Sequence, residues 1–157
     1  GGYQWKRQTT LQNDFHQEYT WKSWAFSPYL TSQPCKYVEL AYNGMFAKTY
    51  LSTKYQNNSY LSQQHKVSLK LMPFDGFTFD TSADIVKNEL TKDVSKTMSL
   101  LDMGLSYRKK AMKISFDIRN ILNQRQYAYT IYNSVNTFTY NYLLRGRECV
   151  CTVKLTM

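Results

Sequence analysis

Alternation of apolar and polar residues dominates this chain and holds to its final residue. From 148 to 157 the odd positions read Cys149, Cys151, Val153, Leu155 and Met157, while the even ones are mostly polar: Glu148, Thr152, Lys154 and Thr156. A period of two describes a strand with one apolar and one polar face. The same pattern runs through residues 66–71, 77–85, 101–108 and 112–119. Val38, Leu40, Tyr42, Phe46 and Tyr50 share one face of an earlier strand, opposite Glu39, Ala41, Asn43 and Thr49. Strands are also expected over residues 3–12 and 17–29, where Trp21 and Trp24 fall on opposite faces and leave the inside unassigned.

Between these runs lie two kinds of connection. Short turns are expected at Thr31-Ser32-Gln33-Pro34, at 72–76 and at Lys109-Lys110-Ala111; polar connections are expected at 55–59, 91–95 and 133–136. Pro and Gly sit mostly in the turns. The pattern predicts an all-β fold: an antiparallel up-and-down meander of about eight long strands, with residues 1–157 as a single unit. Two places break parity. The apolar face is even at Ile114–Ile118 and odd at Tyr127, Tyr129 and Ile131; it is even again at Phe138–Leu144 and odd from Cys149. Each slip requires a bulge or a break. The slips, at 120–126 and 145–147, lie opposite one another in the last hairpin, which predicts one shared kink.

Composition narrows the function classes. At 157 residues the chain suffices for one domain. Aromatics make up 16%, and 14 of them are Tyr, a residue suited to interfaces wet at one end. The net charge of +9 suggests an anionic partner if taken alone; Lys and Arg alternating with apolar residues equally describe one solvated face. No apolar run approaches the roughly 18 residues of a membrane helix, which excludes helical spans and says nothing of barrel strands. Mean hydropathy of -0.54 is neutral on that point. The chain opens Gly1-Gly2-Tyr3 without an initiator Met, as expected of a processed or excised piece.

Candidate chemistry is sparse. Cys149 and Cys151, two apart on one strand face, stand about 7 Å apart and do not bridge easily. A zinc site would need His16 and His65 from separate segments. Asp80 and Asp84 share a strand face about 13 Å apart, too far for a carboxylate pair. No nucleophile elbow or phosphate loop occurs, and no catalytic residue, cofactor or metal is expected. Glu39, Asp102, Asp117, Arg119, Arg145, Arg147 and Glu148 suit an ion-pair network on the polar face. Arg145 and Arg147 frame Gly146 at the slip, where their guanidinium forks can clamp neighbouring carboxylates or carbonyls.

Periodicity alone does not say which face meets water. A soluble barrel turns its apolar face inward; an outer-membrane barrel turns it towards lipid. Long strands, and aromatics near strand ends such as Tyr50, Tyr60, Phe74 and Tyr127, favour the membrane arrangement.

The last hairpin resembles the C-terminal end of TonB-dependent outer-membrane receptors. The residues that carry the resemblance are Arg119-Asn120-Ile121-Leu122-Asn123, the aromatic-rich stretch 127–142, and Leu143-Leu144-Arg145-Gly146-Arg147-Glu148. Asn120, Asn123, Arg145, Gly146 and Arg147 form the closing-strand motif. Earlier segments, Phe26–Leu30 and Tyr37–Tyr42, are similar in rhythm. Such barrels usually end in an aromatic residue, whereas this chain ends in Met157. The resemblance implies the C-terminal third of a 22-stranded barrel, without its plug. It implies a non-catalytic role in nutrient uptake at the cell outer membrane. The partners it implies are membrane lipid, the rest of the barrel and its plug, a nutrient ligand and a surface lipoprotein. The alternatives are a soluble β-barrel or sandwich binding a hydrophobic small molecule, and a basic aromatic sheet binding nucleic acid; the opposition of Lys66, Lys70 and Lys113 to the apolar positions argues against the second.

Overall fold

The computed structural model describes residues 1–12, 15–54, 57–91, 94–132 and 137–156. Within them every regular element is a strand. The strands are β1 (Gly2–Gln12), β2 (Phe15–Phe26), β3 (Tyr29–Cys35), β4 (Val38–Thr53), β5 (Asn57–Leu71), β6 (Phe77–Thr91), β7 (Val94–Lys109), β8 (Met112–Arg119), β9 (Gln126–Tyr132), β10 (Thr137–Leu143) and β11 (Glu148–Leu155). The main sheet runs β1-β2-β4-β5-β6-β7-β8-β11, with β3 beside β4, and β9 pairs with β10 in a separate two-stranded sheet. All pairings are antiparallel. β2 and β3 pair with successive halves of β4, so they form one pass broken at Ser27-Pro28. β8 with β9, and β10 with β11, are likewise two passes broken at the last hairpin's kink. The architecture is therefore an open meander of eight passes; β1 and β11 are its outer strands.

The three short connections gather at one end. Their backbones interlock: the Met72 N–H donates to the Tyr37 carbonyl, Arg108 N–H to Gly76 and Thr156 N–H to Ala111, at 2.7–2.8 Å. Gly76 has φ +81°, a backbone open to glycine and strained for branched side chains. The Arg108 carbonyl leaves no room there for a Cβ.

One expected turn lies elsewhere. Thr31-Ser32-Gln33-Pro34 is part of β3, and the chain reverses at Lys36-Tyr37. Pro34 is tolerated because the register shifts between Ser32 and Cys35 and because β3 pairs on one side only, so the missing N–H breaks no regular ladder. The polar connections at 55–59 and 91–95 are shorter than expected, since β5 begins at Asn57, β6 reaches Thr91 and β7 begins at Val94. The connection at 133–136 lies outside the described residues.

No large side chain among the described residues is fully buried. The buried apolar residues are Tyr19, Val86 and Met98. The sheet is a single layer, held by its backbone ladders and not by a core. The Gly76→Val change should therefore destabilise the turn end by about 1–3 kcal/mol. Denaturant unfolding measures this; an unchanged midpoint would refute the interlock.

Candidate functional site

Two features stand out: the chemical division of the sheet's faces and the kink in its last hairpin. Register partners share a face, so the faces can be followed strand by strand. One carries Leu40, Leu69, Thr81, Met103, Ile118 and Cys149 in a single cross-sheet row, and Val38, Leu71, Phe79, Leu105, Phe116 and Cys151 in the next. The opposite face carries Glu39, Lys70, Asp80, Gly104 and Asp117 in register. Lys70 pairs with Glu39 at 3.3 Å. This row borders a recess of about 520 Å³, lined by Thr31, Ser32, Glu39, Lys70 and Asp80.

The apolar face is apolar over only part of its height. On β6 it reads Phe77, Phe79, Thr81, Ala83, Ile85, then Lys87 and Glu89; on β7 it reads Tyr107, Leu105, Met103, Leu101, then Ser99, Thr97 and Ser95. On β4 the first charged residue is Lys48, on β2 it is Lys22, and on β1 it is Arg7, which pairs with Glu18 at 2.6 Å. Leu61 and Tyr50 are the apolar residues beyond this border on β5 and β4. Past the border the opposite face turns apolar, with Tyr19, Leu51, Val86 and Met98. Polarity inverts along single strands, a change that strict alternation over the clearest windows did not reveal.

The border slants. Ser99 on β7 is level with Gly44 on β4, whereas Arg7 on β1 is level with Ser52, eight residues farther along β4. Eight residues rise roughly 26 Å, and five strand spacings from β7 to β1 span roughly 24 Å. The border thus crosses the strands at an angle that implies a tilt of about 45–50°, close to the tilt of barrel strands.

Two glycines admit side chains from neighbouring positions. Tyr42 lies across Gly44, its hydroxyl 2.5 Å from where a Cβ would stand, and bonds His65 Nδ1 at 2.9 Å. An aromatic ring covering a strand glycine restores packing that the glycine lacks. On the polar face, Asp80 and Asp117 both reach over Gly104.

The sequence motif at the parity slips converges on one point. Asn120 and Asn123 have φ of 50° and 53°, a conformation Asn tolerates better than most residues. Asn120 is buried, and its side-chain amide donates to the carbonyls of Gln124 at 2.7 Å and Arg145 at 2.8 Å, while its oxygen accepts the Gln124 N–H at 2.9 Å. Arg147 directs Nε at 2.9 Å, and Nη2, to the Ile121 carbonyl. Its own N–H donates to Asn123 Oδ1. Gly146 lies where a Cβ would stand 3.0 Å from that same oxygen. The knot is tied to β7, because Ile121 N–H donates to the Leu101 carbonyl and Asn120 N–H to Asp102 Oδ1. Arg145 contributes its carbonyl; its side chain is 88% exposed and stands 3.6 Å from Glu148. Of the two arginines, Arg147 is the clamp.

Beyond the knot, β9 leans against β6. Burial pushes the Tyr127 phenol above its ordinary value, and the charges of Asp84 and Tyr142 add to the rise. The protonated phenol is thus the form that fits. Any stability from this contact is complete below the ordinary phenol value of about 10 and fades as pH climbs through the raised one.

Among the described residues no three His, Cys, Asp or Glu side chains form a metal-holding group. Cys35, Cys149 and Cys151 are free and exposed. No protein-family model, curated protein or solved structure matches this chain.

Asn120→Ala should cost about 1–3 kcal/mol, because it strands two carbonyls and an N–H. Arg147→Ala should be non-additive with it, and Arg145→Ala nearly silent. Equilibrium unfolding of the single and double variants measures the coupling; strict additivity would mean that the knot does not act as a unit.

Proposed function

We propose that this chain is a non-catalytic wall segment of a transmembrane β-barrel in an outer membrane, belonging to a nutrient receptor of the TonB-dependent kind. The slanted polarity border carries this reading. A face apolar for about nine residues per strand, as from Phe77 to Ile85, matches what a tilted strand needs to cross the hydrocarbon. Beyond it the same face becomes charged and the opposite face becomes apolar, as expected where strands emerge into water. A water-soluble sheet has no reason to change sides at one slanted level.

Exposure supports the same reading. Val67 and Phe116, which a soluble barrel would seal in a dry interior, are 38% and 43% exposed. The unpaired edges of β1 and β11 extend the argument. Backbone groups facing hydrocarbon must be bonded, so a lipid-embedded sheet requires further strands to close it. The remainder of a larger barrel would supply them. The tight-turn end then faces the periplasm, and the kinked hairpin stands on the outer side, where a nutrient or a surface lipoprotein would be met. The family itself rests on the resemblance of the Asn120–Asn123 and Arg145–Arg147 elements.

Arginine scanning tests the membrane reading. Leu105→Arg and Phe116→Arg, on the apolar face, should each lower insertion into lipid vesicles by about 2–4 kcal/mol, whereas Ser106→Arg and Ser115→Arg, one residue away on the polar face, should be tolerated. A monodisperse wild-type chain in detergent-free buffer, with all four variants equally stable, would rule the reading out.

A further inference from the structure

At the tight-turn end, Arg108 on β7, Lys113 on β8 and Lys154 on β11 are direct register partners across three strands. Lys109 and Lys110 continue the patch through the turn, and Lys36 lies at the same end in the turn between β3 and β4. None of these six cations makes an ion pair among the described residues. Asp75 is the one carboxylate among the three turns. The Arg108–Lys113–Lys154 row lies on the polar face, where Arg108 and Lys113 border a recess that also holds Asp75 and Asp80, whereas Lys109 on the apolar face and Lys110 in the turn call for an external anion.

Position identifies the anion. The apolar face runs down into the patch: Phe77 and Tyr107 are its last aromatic pair, and Lys109 follows Tyr107 on the same face. Tyr37 and Phe74 are exposed at the same end, with the Lys36 ammonium 4.8 Å from the Tyr37 ring centre. Cations and amphipathic aromatics just past an apolar band lie at the depth of lipid headgroups. Lys109 ends β7 and Lys110 opens the turn, so their long side chains can extend into that layer. The opposite border is more mixed in charge, with the Arg7–Glu18 pair and Glu89 among its lysines.

We propose that this rim is a docking surface for anionic phospholipid headgroups, whose phosphates neutralise Lys109 and Lys110 beside the Phe77–Tyr107 pair. The inference rests on the membrane reading above. It adds that the leaflet at the tight-turn end is held by charge as well as by apolar contact.

Co-flotation of the full chain, diluted from detergent, with vesicles of phosphatidylcholine alone or with about 30% phosphatidylglycerol tests both ideas separately. Wild type should float with both and at least tenfold better with the anionic vesicles, an advantage that shrinks in 0.5 M NaCl. Lys109→Gln with Lys110→Asn, at about fivefold per charge removed, should abolish a tenfold advantage; Asn suits the left-handed backbone at position 110, where φ is 51°. Lys22→Gln with Lys48→Gln, at the far border, should leave it intact, and circular dichroism checks that each variant keeps its strand content. Equal flotation with both vesicles would overturn the headgroup proposal and leave the membrane reading standing. No flotation with either would sink both. Loss of the preference in the far-border variant instead, or displacement by polyglutamate beyond the effect of NaCl at equal ionic strength, would also overturn the proposal, the latter in favour of an acidic polypeptide.

Discussion

Hydrogen bonding between neighbouring strands is the interaction on which this structure depends, because almost nothing lies beneath the sheet. A soluble domain of this size gains most of its stability by removing apolar side chains from water. Here the ladders from β1 to β11 fix position, while the apolar residues of one face remain exposed. Lateral bonding defines where each residue stands but supplies little of the burial that ordinarily offsets the entropy of ordering a chain. On the membrane reading proposed above, the burial comes from outside: hydrocarbon against Leu105 and Phe116, water against Glu39 and Lys70.

The parts legible in the sequence were those where a single physical rule acts alone. In β6, β7 and β8, alternation had no competitor, and the register pairs the apolar positions as expected. The reversal before β4 was misplaced because Pro34 signals a turn, yet a strand paired on one side at a bulge can hold it. The far halves of the strands were harder to read. Val86 and Met98 are buried on what is elsewhere the polar face, and only the register shows that Lys87 and Thr97 have taken the apolar side. A one-dimensional pattern carries no information about a border that crosses several strands at an angle.

The closing motif was legible as two parity slips but not as a network. Nothing in the spacing of Asn120 and Arg147 says that one amide serves two carbonyls, or that one guanidinium reaches the Ile121 carbonyl. Nor does it separate Arg147, whose guanidinium bonds the Ile121 carbonyl, from Arg145, whose guanidinium stands 3.6 Å from Glu148. Two residues of the same type flanking one glycine look equivalent until the backbone at Asn120 and Asn123 turns left-handed and presents the Ile121 carbonyl to one of them.

The position of the kink follows from the slanted border. Continued at the same slope, the border that passes Ser99 on β7 meets β8 near residue 120 and β11 near residue 148. The last pair of the β8–β11 ladder is Arg119 with Glu148. On the proposed membrane reading, a strand below that level faces hydrocarbon and cannot leave its ladder, since each unbonded backbone group there costs several kcal/mol. Above it, water is available, and a few side chains are enough to cap the freed groups, as Asn120, Asn123 and Arg147 do. The hairpin therefore breaks from the sheet at the first level where breaking is inexpensive. β9 and β10 are then free to lean over the polar face towards Asp84.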